Sequence, residues 1–493
     1  MGIAGNGPRR RLIIGPPGTG KTTKLLSLVD EHLAEYHPSE IGFVSFTRKA
    51  TKEAQERCAL DPQDLPWFRT LHSLAYRCLG LNRNQVMSTQ HFRDFGKRYG
   101  LHFTGRKDDQ GMFEERGDNH ILNAINLARN KLTTPAEEAI SLGLSEPIWR
   151  VNEVAQWLIE YKREEMLLDF TDMLEQFQDP PLLRILIIDE AQDLTPLQWQ
   201  VIDQMLEHVE YLYVAGDDDQ CIFQWAGACI DRMIDFDGET EILDQSYRVP
   251  KMIQAAADRV ISRVHNRVPK HWKARAETGE FNQGTALDNI VPSEGSWMFL
   301  ARTNFGLTAM KRHLEQLGFL YMTNFGPSIK PEIIQAVRAW ERLRNGGSIP
   351  AEGCQLIYQQ MTSGIGYERG AKGRLDKLSE VDLCISDLRG QFGLLSEEPW
   401  FVVMTKIGKA NIDYIRLVLS RGGLADCRCY VGTIHSVKGG EADHVVLAPD
   451  VPAKVDCYDD AERRVWYVAA TRARESLSLL LATTNRNVSV MFL

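Results

Sequence analysis

The chain lacks any apolar run of about 18 residues, the length a membrane-crossing helix needs, and it carries no internal repeat or low-complexity tract. Cysteine is sparse, with nine residues among 493 at positions 58, 78, 221, 229, 354, 384, 427, 429 and 457. Their odd number and scattered spacing give no paired framework, and the CxC pair Cys427 and Cys429 has no matching partner pair with which to hold a metal. Arg9, Arg10 and Arg11 precede only three apolar residues, too short a core for a signal peptide. The expectation is a soluble, cytoplasmic chain with no membrane partner. An excess of positive charge is missing too: the net charge is −9. That argues against a protein that merely coats nucleic acid, while leaving room for a local basic groove. With 43% hydrophobic and 25% charged residues, the chain has enough apolar material for about two to four domains.

What is present begins with Gly15-Pro16-Pro17-Gly18-Thr19-Gly20-Lys21-Thr22, which fits GxxxxGK[ST] at every fixed position after a strand-like run, Arg9 to Ile14. Glycines let backbone N–H groups turn toward the β- and γ-phosphates of a nucleotide. Lys21 adds a cation, and the Thr22 hydroxyl can ligate Mg²⁺ at a helix N-terminus. The helix is expected from Lys21 through Leu25, Leu26, Leu28 and Val29. The plainer alternative, a Gly/Pro-rich turn without a ligand, leaves the complete pattern unexplained. LRILIIDEAQD, Leu183 to Asp193, reads as a buried parallel strand that delivers carboxylates to its C-terminal edge. Asp189 is placed to hold Mg²⁺, and Glu190 to orient or deprotonate the attacking water. Hydrolysis also calls for arginines on the developing charge, from elsewhere in the chain.

With DEAQD the pattern becomes recognisable: nearly end to end, the chain resembles superfamily 1 helicases of the UvrD/Rep type. The resemblance rests on an ordered series: GFVSFTRKATKEA (42 to 54), FRTLHSLAYRCL (68 to 79), LLDFTDML (167 to 174), VAGDDDQCIFQWAGA (214 to 228), LDQSYRVP (243 to 250), NRVPKHW (266 to 272), FLARTNFGLTAMKRHLEQLGFLY (299 to 321), VGTIHSVKGGEADHVVL (431 to 447) and ERRVWYVAATRARESL (462 to 477). It implies ATP and Mg²⁺ as ligands, with the phosphate loop through Thr23 on the nucleotide and Gln220 reporting the γ-phosphate or its water. Arg248 and Arg472 are implied as γ-phosphate arginines, the TRA register favouring Arg472 over Arg474. Tyr247 is implied to stack on the base and Glu441 to hold the ribose. Single-stranded DNA is implied as partner for Phe46, Thr47, Arg48, Thr70, His72, Phe223, Trp225, Thr433, His435 and Lys438. Without the motifs around them, Phe223 and Trp225 read as core aromatics, and His72 and His435 as surface histidines.

The same resemblance implies an α/β fold, two doubly wound RecA-like motor domains with two mainly helical insertions. The first motor domain is expected at 1–79 and 165–243, around an insertion at 80–164. The second is expected at 244–345 and 425–493, around an accessory insertion at 346–424 that looks shorter than in long family members. No glutamine motif precedes Gly15, and Thr23 and Lys24 stand where the family has an arginine, so ATP preference rests on the remaining motifs. The implied activity is an ATP-dependent single-stranded DNA translocase and helicase, 3′ to 5′. It would act at single-strand/duplex junctions in replication, repair or recombination, in a bacterial or phage-infected cell. The alternatives are a DNA-stimulated ATPase subunit with a protein partner in a repair or defence complex, or an RNA helicase of the same superfamily.

Overall fold

The computed structural model describes residues 7–45, 48–58, 60–105, 117–378, 381–422, 427–453 and 455–492. Two mainly parallel sheets with helices on their faces organise it, as expected for two doubly wound domains. The first sheet has six strands, in the order Phe68–Arg69, Ile41–Ser45, Ile185–Asp189, Tyr211–Gly216, Arg9–Ile14 and Glu239–Ile242. All of its pairings are parallel. Its central strand is buried over its whole length, which explains the unbroken Ile/Leu run. Each such side chain contributes about 1.5–3 kcal/mol on leaving water.

The register places the chemistry. Ser45 lies opposite Asp189 and Ile14 opposite Gly216, so the turns that begin at Gly15, Glu190 and Asp217 open on one edge. The helix expected after the phosphate loop spans Lys21–Leu33 and buries Leu25, Leu26, Leu28 and Val29. Gly20 caps it at φ 80 with no side-chain cap, so its first N–H groups stay available to an anion.

The second sheet has seven strands, in the order Gly326–Pro327, Tyr321–Thr323, Cys429–Thr433, Trp297–Ala301, Ala442–Leu447, Ala473–Leu480 and Glu280–Thr285. Only its outermost pairing is antiparallel. Between the strands of the first sheet, the helices Thr89–Tyr99, Asn119–Lys131, Pro135–Ser141 and Ile148–Glu164 enclose a separate apolar core. A further core gathers Ile349, Cys354, Ile357, Tyr358 and Ile415, and it also takes Ile334, Val337, Trp340 and Leu343 from the preceding helix Pro331–Arg344.

Candidate nucleotide site and nucleic-acid interface

At the phosphate loop, Gly18 and Gly20 adopt φ of 72 and 80, a region that glycine enters without a Cβ penalty. Lys21 folds back so that Nζ donates to the Gly15 carbonyl at 2.6 Å, and Thr19 Oγ1 donates to the Pro16 carbonyl at 2.8 Å. The loop also touches the second domain. Ser246 Oγ donates to the Pro17 carbonyl at 2.7 Å, and the Tyr247 N–H donates to the Gly18 carbonyl at 2.8 Å. A Cβ at Gly18 would sit 2.3 Å from Arg248 Cβ, so this glycine sets how closely the two domains approach.

Thr22 Oγ1 donates to Asp189 Oδ2 at 3.2 Å. Burial, reinforced by neighbouring Glu190, pushes the Asp189 carboxyl up to about 7. Burial alone would raise Glu190 too, but Lys21 and Lys438 outweigh it and hold that acid below its ordinary value. Two adjacent acids, one buried and one half-buried, that strain to share the available positive charge beside a hydroxyl form a donor set that fits a hard divalent cation such as Mg²⁺. Glu190 itself is left-handed, at φ 56, a conformation that costs a non-glycine residue about 1 kcal/mol or more.

From Glu190 a hydrogen-bond chain runs into the second domain. Gln192 Nε2 donates to Glu190 Oε2 at 2.5 Å, and the Asp217 N–H donates to Gln192 Oε1 at 3.1 Å. Gln220 Nε2 donates to Asp217 Oδ2 at 2.7 Å, and Arg472 donates to Gln220 Oε1 at 2.8 Å. Arg472 is further held by the carbonyls of Val468 and Gly440. Burial and nearby Arg248 lower it to about 9, so it remains a cation at neutral pH. Arg248 donates to Glu441 Oε2 at 2.5 Å, and Arg474 to Glu441 Oε1 at 3.2 Å. The acid expected on the ribose thus joins two arginines in this structure. Tyr247 leaves 72% of its surface exposed, open to a flat ring. Thr23 meets Arg57 at 3.5 Å.

Three residues that sequence reading passed over organise this region. Gln192 links Glu190 to the 217–220 turn. Lys270 has a side chain with 0% exposure and lies 3.1, 2.5 and 2.8 Å from Asp217, Asp218 and Asp219. Arg267 pairs with Asp219. The available signal was three consecutive acids: buried carboxylates require partners, and NRVPKHW supplies two.

The nucleic-acid candidates divide. Phe223, Trp225 and His435 form a ring cluster, with centroids 6.2 Å apart for Phe223–Trp225, 6.0 Å for Trp225–His435 and 6.2 Å for Phe223–His435. Lys438 Nζ lies 5.2 Å from the Phe223 centroid. Lys438, expected as a DNA contact, donates to Asp193 at 2.5 Å and to the Gln220 carbonyl at 2.7 Å. Burial pushes Asp193 up to about 7 in spite of this partner. His435 and Thr433 are buried, at 3% and 1% exposure. Burial, then Arg302 and Lys438, lower His435 to about 3, so the imidazole is neutral at ordinary pH.

Thr70 caps its helix by accepting from the Ser73 N–H at 3.3 Å. His72 meets Phe170 edge-on, with centroids 5.9 Å apart. Both Thr70 and His72 line a cavity of about 1170 Å³, together with Arg69, Arg77 and Arg83. Phe46 and Thr47 lie outside the described residues, as does the side chain of Arg48, whose backbone opens the Arg48–Arg57 helix.

Comparison with known proteins finds two family models along the chain. The UvrD/REP helicase N-terminal domain matches residues 6–241 and the UvrD-like helicase C-terminal domain matches residues 428–480. ATP-dependent DNA helicase PcrA of Bacillus subtilis (strain 168) is 30% identical over 348 residues, 64% of this chain and 45% of that protein. PcrA of Leuconostoc citreum is 30% identical over 308 residues, 56% of this chain and 40% of that protein. PcrA of Staphylococcus aureus (strain Mu50 / ATCC 700699) is 26% identical over 358 residues, 64% of this chain and 46% of that protein. The chain spans less than half the length of the curated relatives it matches. With the two domain matches lying in order and together taking in more than half of its residues, the chain belongs to the UvrD/Rep type of superfamily 1 helicases.

Proposed function

We propose that this chain is an ATP-dependent translocase on single-stranded DNA, and a DNA helicase moving 3′ to 5′. The observation that carries the reading is the chain of hydrogen bonds from Glu190 through Gln192, Asp217 and Gln220 to Arg472, because it joins a water-activating acid on one domain to a cation on the other. ATP would lie between them. Lys21 and the loop Gly15, Pro16, Pro17, Gly18, Thr19, Gly20 bind its phosphates with Thr22 and Thr23, while Tyr247 stacks on its base. Thr22 and Asp189 would hold Mg²⁺, whose charge offsets that of the phosphates. Glu190 positions the water that attacks the γ-phosphorus and accepts its proton as the bond to the β-phosphate oxygen breaks. Arg248 exchanges Glu441 for the γ-phosphate, leaving Glu441 free for the ribose, and Arg472 stabilises the same developing charge.

Strand contacts would run from 46–48, Thr70 and His72 across Phe223 and Trp225 to Thr433 and His435. Lys438 reports their state to Asp193, next to the hydrolytic centre. In this reading residues 1–79 with 165–243 and 244–345 with 425–493 are the two motor units. Residues 80–164 and 346–424 are insertions that meet the strand/duplex junction, and the setting is the bacterial or phage-infected cytoplasm. The insertion at 346–424, shorter than in long family members, favours one second reading, a DNA-stimulated ATPase subunit whose closure signals to a protein partner in repair or defence.

Steady-state ATP hydrolysis by the purified chain, alone and with single-stranded DNA or RNA of one sequence, tests the proposal. Strong stimulation by DNA supports it, and a tailed duplex then separates the readings, since unwinding by the isolated chain counts against the subunit reading. Preference for RNA, or indifference to both strands, would sink the DNA assignment.

A further inference from the structure

Phe305 and Phe325 are 90% and 80% exposed, more than any other Phe, Tyr or Trp among the described residues. Neither belongs to the strand contacts named above. Phe305 follows Arg302, Thr303 and Asn304 out of the Trp297–Ala301 strand, and Phe325 occupies the turn between Tyr321–Thr323 and Gly326–Pro327. Both strands run parallel to Cys429–Thr433, with Ala301 opposite Thr433 and Met322 opposite Tyr430. The two rings therefore leave the sheet at the same edge as Thr433 and His435.

Both loops are braced. The Phe325 N–H donates to Thr323 Oγ1 at 3.2 Å, and that hydroxyl donates to the Gly326 carbonyl at 2.8 Å. Gly326 has φ 110, which a side chain would resist, so the turn geometry is specified. Asn324 accepts from Tyr430, whose hydroxyl lies 3.5 Å from Ser436 Oγ, tying the turn to the segment that carries His435 and Lys438. At the other loop the Arg302 Nε–H is shared between the two carboxylate oxygens of Glu462, each at 3.0 Å. Fixed loops thus present two rings to water at an entropic cost already met.

The surroundings favour one kind of occupant. Each ring follows an exposed asparagine, Asn304 or Asn324, in a Thr-Asn-Phe-Gly sequence. Each π-face thus has an amide beside it in sequence, whereas a protein partner needs a continuous apolar patch. Successive bases of a single strand offer a matching pattern, with flat faces to stack and polar edges to meet the amides.

We propose that Phe305 and Phe325 are base-stacking platforms that extend the single-stranded DNA track along this edge of the second domain. The inference rests on the strand-binding reading above and adds to it a grip that neither the nucleotide cleft nor the Trp225 cluster supplies.

Fluorescence anisotropy with the full chain tests it, using labelled oligothymidylate and an abasic oligonucleotide of equal length. Phe305→Ala and Phe325→Ala should each weaken oligothymidylate binding about tenfold, within the range of a lost base–aromatic stack. Abasic binding, salt dependence and strand-free ATP hydrolysis should stay as in wild type, and Phe→Trp at either position should restore affinity. Wild-type affinity in both alanine variants, with Trp225→Ala weakened, would overturn the proposal while sparing the strand-binding reading. Equal loss on both oligonucleotides would overturn it as well, by assigning the rings to loop structure. A wild-type chain that binds neither oligonucleotide would remove the underlying reading itself.

Discussion

The first sheet keeps its candidate groups on one edge, whereas the second uses both. In the first, Asp189 closes its strand and the phosphate loop and the 217–220 turn follow C-terminal strand ends, and Thr70 follows the Phe68–Arg69 strand on the same side. In the second, Glu441 and Arg472 precede the strands Ala442–Leu447 and Ala473–Leu480, while Thr433 and His435 close and follow Cys429–Thr433. All three strands are parallel. Residues 433–441 must therefore travel from the strand-facing edge to the nucleotide-facing edge. Lys438 lies on that path and is bonded to Asp193 of the first domain. In the proposed reading the second domain divides its two ligands between these opposite edges, and the crossing segment would be the physical link between them.

Breaking the nucleotide-facing edge should have the largest effect. Arg472→Ala removes a buried cation from the Gln220 end of the relay, and hydrolysis should fall about a thousandfold or more, the scale on which such arginines act. Strand affinity without nucleotide should change little. Steady-state hydrolysis beside anisotropy checks both, and comparable losses in the two would dissolve the division of edges.

Removing the support beneath the relay comes next. Lys270→Met leaves three buried carboxylates without their shared cation, at a cost of about 3–5 kcal/mol. Urea unfolding should show an earlier transition; an unchanged midpoint would mean that the aspartates find other partners. On the strand-facing edge, Trp225→Ala should weaken single-strand binding by about 1–3 kcal/mol with intact strand-free hydrolysis, read by anisotropy and steady-state rates.

The smallest effect concerns His435. Its folded pKa is lowered from 6.5 to about 3, so between those values the unfolded chain binds the proton and the folded chain does not. Stability should therefore fall as pH drops through 6.5, by about 1 kcal/mol near pH 5.5. His435→Gln should lose less over that interval in thermal melts at pH 7 and 5.5. Parallel decline of the two proteins would place the responsible group elsewhere.

Local pattern made much of this legible. The phosphate loop, the buried strand ending at Asp189 and the helix from Lys21 are contiguous stretches whose residue types are dictated by neighbours in sequence. The partners were harder to read because they are distant. Arg472 meets Gln220 across 252 residues, and Lys270 meets Asp218 across 52. The pairing of Lys438 with Asp193 was not legible, because a lysine in a loop carries no mark of its acid and Asp193 lies 245 positions away. The turn at Asn345-Gly346-Gly347 reads as a boundary, yet the core beyond it also takes Trp340 and Leu343 from the helix before it, since burial follows packing and not punctuation.

The most direct test of the crossing segment as the link is the factor by which single-stranded DNA stimulates ATP hydrolysis in Lys438→Met relative to wild type, with strand affinity measured alongside. The account predicts a stimulation factor reduced about tenfold or more, with affinity within about threefold of wild type, since this lysine contacts Asp193 and Gln220. An undiminished factor would contradict it, because the two edges would then communicate without the contact between Lys438 and Asp193.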